Sequence, residues 1–329
     1  MRPIFEKAPR IGMGCWAIGG PFWMGDIPVG YSGADDTNSI AAIEASWDAG
    51  IRIFDTSAVY GAGHSETLLG QALGQKSNAI IVSKLGHSFN ALTKQMTGPR
   101  FDPEYVRNSV AQSRERLKRD CIDVMLLHLN DLPVEDARQA FDTLEELRQA
   151  GQIEAYGWST DFPESLAAVA KDYPGFTTVQ HAMNVCLDNP AMSSCADELG
   201  LLRLIRSPLA MGVLTGKFDG DHQVPHGDVR RDAPDLQGNF EDGRPSPLRA
   251  KQLEAIRDLL TQNGRTLAQG ALCWLLAKSP NTVPIPGAKT AAQAEENAGA
   301  IEFGPLDEPT MTEIETVIER AAVGDTRAL

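Results

Sequence analysis

The stretch IRIFDTSAVYG, residues 51–61, sets a short apolar run directly before a group of polar residues. Its apolar half has the low charge of a strand buried on both faces. Asp55 stands where the run stops, and Tyr60 follows five residues later. The same construction recurs along the chain. AIIVSK (79–84) ends on Lys84, and IDVMLLH (122–128) ends on His128. Further runs are IGMGCW (11–16), AYGWS (155–159), TTVQ (177–180), LLRLIRS (201–207) and TVPIP (282–286), which brings the candidate strands to eight.

Amphipathic segments fill the gaps. In TNSIAAIEASWDAG, Thr37 is the expected cap, Ile40, Ile43 and Trp47 share a face, and Gly50 ends the helix. In DPEYVRNSVAQSRERLKRD, Asp102 caps, Pro103 takes the first helical position, and Val106, Val110 and Leu117 form the stripe. PVEDARQAFDTLEELRQAG stops at Gly151, and SPLRAKQLEAIRDLLTQNG with TLAQGALCWLLAKSP makes a later helical pair. Such alternation predicts a single-domain α/β chain, a (β/α)₈ TIM barrel over residues 1–329. A doubly wound open sheet is the alternative, but no G-x-G-x-x-G joins a strand to a helix. In a barrel the C-terminal strand ends converge on one face. An acid, a phenol, an ammonium and an imidazole would meet there, a set suited to placing a proton on a carbonyl oxygen.

The irregular stretch is 218–247, polar and rich in Gly, Pro and Asp. A loop that long inside a compact fold is usually functional or disordered, and here it reads as a cover for a bound ligand. The net charge of −14 disfavours nucleic acid and anionic membranes as partners. Five cysteines at wide spacing read as free thiols in a reducing compartment, with no metal spacing among them. With no secretory signal and no apolar run near the roughly 20 residues of a membrane span, the expected location is cytoplasmic.

Taken in order, GMGCW, FDTSAVYG with GHSE, SK, LLH, GWST, VQ, SPLAMGVLTGK and IPGAK followed by Q-x-x-E-N carry a family likeness. The chain resembles the aldo-keto reductases along nearly its whole length. It is most similar to the branch holding bacterial sugar, glycerol and general aldehyde reductases and the potassium-channel beta subunits. The resemblance implies an oxidoreductase moving hydride reversibly between NADP(H), with NAD(H) as the alternative, and a small carbonyl substrate. Sugar or polyol dehydrogenation and slow-turnover cofactor sensing are the alternatives it leaves open. It makes Tyr60 the general acid, its pKa lowered by Lys84, with Asp55 holding Lys84 and His128 orienting the carbonyl.

For the cofactor it implies Trp16, then Ser159, Thr160 and Gln180 at the carboxamide, with Arg206 stacked on the nicotinamide. Thr160 replaces the family's usual asparagine, and Arg206 an aromatic residue. Ser207, Pro208, Leu209, Gly212 and Lys217 would wrap the pyrophosphate. Gly287, Ala288, Lys289, Thr290, Gln293, Glu296 and Asn297 would hold the adenosine half, with Lys289 and Arg230 meeting a 2′-phosphate. Gln293 stands where another branch has an arginine. Trp23 and Met24, in the long 17–33 loop, and Asn130 and Trp158 are the substrate-pocket candidates. HLND at 128–131 breaks the family's LH-aromatic-x-D pattern.

Overall fold

The computed structural model describes residue 5 and residues 8–218, 222–235 and 237–320. Eight parallel strands follow one another in chain order: β1 (Met13–Gly14), β2 (Ile53–Asp55), β3 (Ile80–Leu85), β4 (Ile122–Leu127), β5 (Ile153–Ser159), β6 (Phe176–Ala182), β7 (Leu202–Arg206) and β8 (Thr282–Pro284). The sheet curls until its ends meet. Gly12 N donates to Pro284 O at 2.9 Å and Gly14 N to Pro286 O at 2.9 Å, closing the barrel. Each strand overlaps its expected run, with those at Ile80–Leu85, Ile153–Ser159 and Phe176–Ala182 reaching beyond the runs 79–84, 155–159 and 177–180, and the open-sheet alternative is set aside by this closure.

Helices α1 (Asp36–Asp48), α2 (His64–Leu73), α3 (Pro103–Leu117), α4 (Val134–Gln149), α5 (Pro163–Val169) and α6 (Pro190–Glu198) follow β1 to β6 in turn. The cap of α1 is Asp35, whose side chain accepts from Asn38 N, so the expected cap Thr37 sits inside the first turn. A carboxylate two residues earlier satisfies one of the free N–H groups and adds favourable charge at the helix N-terminus. Asp102 caps α3 as expected, with Pro103 following it.

Residues 218–247 are not featureless. They contain a one-turn helix α7 (Val229–Asp232) and a tight hairpin of Phe240–Glu241 with Arg244–Pro245. Residues 219–221 and 236 of this loop lie outside the described residues. After it come α8 (Pro247–Leu260), α9 (Leu267–Lys278), α10 (Ala291–Phe303) and α11 (Glu308–Val317). Among the described residues, no helix is long and apolar enough to cross a membrane.

Strand parity decides what faces the barrel axis. Ile53, Val82, Val124, Leu126, Ala155, Leu204 and Val283 form an inner apolar plug, closed below by Phe5. Their neighbours Phe54, Ile81, Met125, Leu127, Tyr156, Trp158, Val179 and Ile205 pack outward against the helices. Continuing the inward parity toward the C-terminal ends reaches Asp55, Lys84, Ser159, Gln180 and Arg206. Polar side chains therefore stack above an apolar floor.

Gly157 shares this parity and marks the tightest approach in the wall. A Cβ there would lie 1.8 Å from Thr178 O on β6. Neither backbone can retreat without breaking strand pairing. Gly157→Ala should therefore lower stability by about 3 kcal/mol or more. Denaturant titration checks this, and a midpoint unchanged from the parent would show that the wall can yield.

Two further hairpins sit beside the C-terminal face. Trp23–Met24 pairs with Ile27–Pro28, and His87–Asn90 pairs with Gln95–Pro99. Trp23 also pairs with Gln95, which joins the hairpins into a four-stranded sheet. The second hairpin follows β3 directly, and sequence patterning did not anticipate it.

Candidate active site

A cavity of about 640 Å³ opens at the C-terminal face. At its floor the Lys84 ammonium, 0% exposed, donates to Asp55 Oδ2 at 2.7 Å and to Thr56 O at 2.7 Å. It lies 3.4 Å from the Tyr60 hydroxyl oxygen. Asp55 Oδ1 accepts from Gln180 Nε2 at 2.7 Å. The His128 ring stands edge-on to the Tyr60 ring, centroids 5.9 Å apart. Its Nδ1 is 3.2 Å from Ser57 Oγ. Residues from β2, β3, β4 and β6 thus converge within one hydrogen-bonded group.

Burial governs the electrostatics here. It pushes the Tyr60 phenol up, and the Lys84 charge opposes this without overcoming it. Burial is the larger effect: Lys84 does lower the Tyr60 pKa as expected, but the net shift is upward, not the lowered pKa the resemblance implied. A phenolate shut away from water loses more solvation than one ammonium 3.4 Å away returns. Burial also works against the Lys84 charge, but the Asp55 carboxylate and Tyr60 outweigh it and keep the ammonium above its ordinary value. His128 is held well below the usual histidine range, first by burial and then by His87, Lys84 and Arg206, so its imidazole is neutral.

Trp16 lies over Tyr60 with rings 22° from parallel and centroids 6.0 Å apart. Its indole donates to Val29 O at 3.1 Å. Met24, Asn130, Ser159, Gln180 and Arg206 also line the cavity. Arg206 forms an ion pair with Asp161, which holds its guanidinium at the wall.

Beyond Arg206 the wall is the stretch 207–217. Ser207, Ala210 and Met211 adopt left-handed backbone (φ 54°, 47° and 54°) and Gly212 follows at 106°, which curls the chain tightly. Ser207, Pro208, Leu209, Gly212 and Lys217 border the cavity, and so do Gly287, Ala288, Lys289, Gln293, Glu296 and Asn297 opposite. Lys217, Arg230 and Lys289 gather at this end around one buried carboxylate, Asp228. Arg230 Nε binds Asp228 Oδ1 at 2.7 Å. Burial, then Arg230, pushes the Lys289 ammonium down to about 8. Lys217 is lowered by the same two causes. Lys217, Arg230 and Lys289 lying together lower the tendency of the two lysines to hold a proton, a setting that an anionic ligand would relieve.

The long loop is tied across the cavity rim. Ser32 N and Oγ both donate to Asp228 Oδ2 at 3.0 Å, and Val229 N donates to Gly30 O at 3.0 Å. Lys289 Nζ donates to Ser32 O at 2.6 Å, and Arg230 and Lys289 lie over the Tyr31 ring. The loop after β7, the loop after β1 and the segment after β8 therefore meet at one point.

Five sequence candidates do not line the cavity: Lys84, sealed beneath Tyr60, and four others. Trp158 has outward parity, packs against Phe141 and donates its indole N–H to Leu129 O at 2.9 Å. Thr160 is buried, with its hydroxyl donated to Asn130 O at 2.7 Å. Trp23 occupies the hairpin position alternate to Met24 and faces away. Thr290 is exposed and caps α10 by accepting from Gln293 N. Conversely, Ser57, Tyr31, Asp228 and His87 were not singled out from sequence. His87 packs edge-to-face on His128, centroids 5.2 Å apart. Only Ser57 carried a readable signal, its place two residues after Asp55.

Comparison with known proteins agrees with this geometry. The family model described as "Aldo/keto reductase family" matches residues 10–319. An aldo-keto reductase of Schizosaccharomyces pombe, named for NADP(+), is 28% identical over 97% of this chain and 91% of its own length. The NADH-specific methylglyoxal reductase of Escherichia coli is 28% identical over 94% of this chain and 96% of its own. Among solved structures, glycerol dehydrogenase AKR11B4 from Gluconobacter oxydans superposes with a TM-score of 0.80 at 25% identity, covering 100% of this chain and 97% of that one. The chain belongs to the aldo/keto reductase family of oxidoreductases.

Proposed function

We propose that the protein reduces aldehydes or ketones to alcohols with NADPH. The observation that carries this reading is Lys84, wholly buried between Asp55 and the Tyr60 hydroxyl at the floor of a cavity whose far end is cationic. That far end, with Lys217, Arg230 and Lys289 around Asp228, suits the phosphates of a dinucleotide, and Glu296 and Asn297 suit its adenine. Ser159, Gln180 and Arg206 would hold the nicotinamide, which when bound would supply hydride for the carbonyl carbon.

The chain's own residues do the rest. As the carbon–oxygen π pair collapses onto oxygen, Tyr60 delivers its hydroxyl proton there. Lys84 stabilises the phenolate left behind, and Asp55 keeps Lys84 charged and in place. The neutral His128, its Nδ1 beside the Ser57 hydroxyl, presents Nε2 to the same carbonyl oxygen. Gln180 and Arg206 are held in position by Asp55 and Asp161 respectively. In the opposite direction Tyr60 would take the alcohol proton. Five free thiols, three of them buried, fit a reducing cytoplasmic setting.

A fluorescence titration with NADPH and NADH, followed by an aldehyde panel read at the nicotinamide absorbance, tests the reading. NADPH binding with aldehyde-dependent oxidation is expected, and failure to bind either nucleotide would refute it. Lys289 is assigned to the 2′-phosphate. Lys289→Ala should lower the NADPH-to-NADH efficiency ratio by about tenfold or more, since a charge-assisted hydrogen bond contributes about 1.5–3 kcal/mol. An unchanged ratio would withdraw the assignment.

A further inference from the structure

Two ion pairs stand at the Tyr60 end of the cavity, Lys84 with Asp55 and Arg206 with Asp161. The second joins the end of β7 to the residue two places after β5. It is built from the backbone outward. Asp161 N donates to Asn130 Oδ1 at 2.9 Å, and Asp161 Oδ1 accepts from Ala182 N at 2.8 Å. Ala182 is the register partner of Arg206 on the neighbouring strand. One carboxylate therefore takes an N–H from β6 with one oxygen and the guanidinium from β7 with the other. It cannot turn toward water without giving up both bonds.

The two members of this pair face different ways. Arg206 lines the cavity and is 31% exposed, whereas Asp161 stands outside the lining and is 5% exposed. A ligand would therefore meet the cation, with the acid behind it. The Arg206 charge reaches the reacting end. After burial, His87 and Lys84, it also holds the His128 imidazole down. Together with Lys84 it opposes the burial that raises the Tyr60 phenol.

The oxidised and reduced forms of a nicotinamide nucleotide carry the same phosphates. They differ by one positive charge, which sits on the ring. An unmatched guanidinium would repel the oxidised ring and leave the reduced ring unaffected.

We propose that Asp161 sets the balance between the two forms of the nucleotide, cancelling the Arg206 charge from behind and so removing a repulsion that would favour NADPH over NADP⁺. Asp161 is a positioning residue acting through Arg206. It keeps alcohol oxidation open to the protein as well as carbonyl reduction. This rests on the reductase reading above and deepens it.

The test is the ratio of the dissociation constants for NADP⁺ and NADPH, measured by titration calorimetry on the full chain. Phosphate contacts are common to both nucleotides and cancel in the ratio. Asp161→Asn keeps the side-chain shape and an oxygen for Ala182 N, but leaves Arg206 unmatched. It should raise the ratio by about tenfold, the scale of one unit charge between the bulk-water and protein-surface limits, almost wholly by weakening NADP⁺. Arg206→Gln leaves the carboxylate unmatched and should move the ratio the other way. The double substitution removes both charges and should return it close to the parent value. A merely structural Asp161 would weaken both nucleotides together. An unchanged ratio in Asp161→Asn, or a shift of the same sign in Arg206→Gln, overturns the proposal and leaves the reductase reading standing. A parent chain that binds neither nucleotide overturns both.

Discussion

Tyr60→Phe should abolish carbonyl reduction almost completely while NADPH binding stays near the parent value. The change removes one oxygen, the atom 3.4 Å from Lys84 Nζ. It leaves the ring that packs between Trp16 and His128 in place. A positioned general acid contributes about 10²–10⁴-fold, so kcat should fall within or below that range. The residues proposed to bind the nucleotide, at the far end of the cavity and at Ser159, Gln180 and the 207–217 wall, are untouched by the substitution. Single-turnover absorbance with a saturating aldehyde separates the two effects. Retained reduction would remove Tyr60 from the chemistry.

The pH dependence of the parent follows from the same phenol. Burial raises its folded pKa, so the proton is present below that value and lost only as pH rises through it. Reduction should therefore hold through neutral pH and decline above about 10, the ordinary tyrosine value. His128 adds no break between pH 7 and 9, because its lowered pKa already leaves it neutral there. Loss of reductive rate centred near pH 7 would contradict both directions.

Lys84→Met should damage stability as well as activity. The parent pair is dry on both sides, with Lys84 and Asp55 2.7 Å apart. Removing the ammonium strands a carboxylate whose remaining side-chain partner is Gln180. Breaking one side of a buried pair destabilises by about 3–5 kcal/mol. The double substitution Asp55→Asn with Lys84→Met leaves no orphaned charge and should recover much of that loss. It should not recover activity, since nothing then stabilises the Tyr60 phenolate. Chemical denaturation of the single and double variants checks the first part, and aldehyde reduction checks the second. A double variant as unstable as Lys84→Met would mean that packing, not charge, sets the loss.

Much of the barrel was legible because each buried strand left the same mark, a short apolar run between turn residues. The catalytic candidates were legible because Asp55, Lys84 and His128 each end such a run. The hairpin at 87–99 left no comparable mark. Its exposed faces carry no regular alternation, and it is held by pairing with the Trp23–Met24 strand, more than sixty residues away in the chain. His87 and Met96 were hidden with it. The latch through Asp228 was hidden for a related reason, since one carboxylate binds Ser32 and Arg230 from loops almost two hundred residues apart.

From sequence alone came the order of the strands, the strand-end positions of Asp55, Lys84 and His128, and the acidic net charge. These are local properties, because period-two burial and chain punctuation act over a few residues. Tertiary structure decided which neighbours face the cavity. Ser159 points in while Trp158 and Thr160 point out, a distinction of one residue that only the closed register resolves. It also decided the direction in which the Tyr60 pKa moves. Proximity to Lys84 argues one way and exclusion of water the other, and the balance depends on how tightly the barrel, the hairpins and Trp16 enclose the phenol.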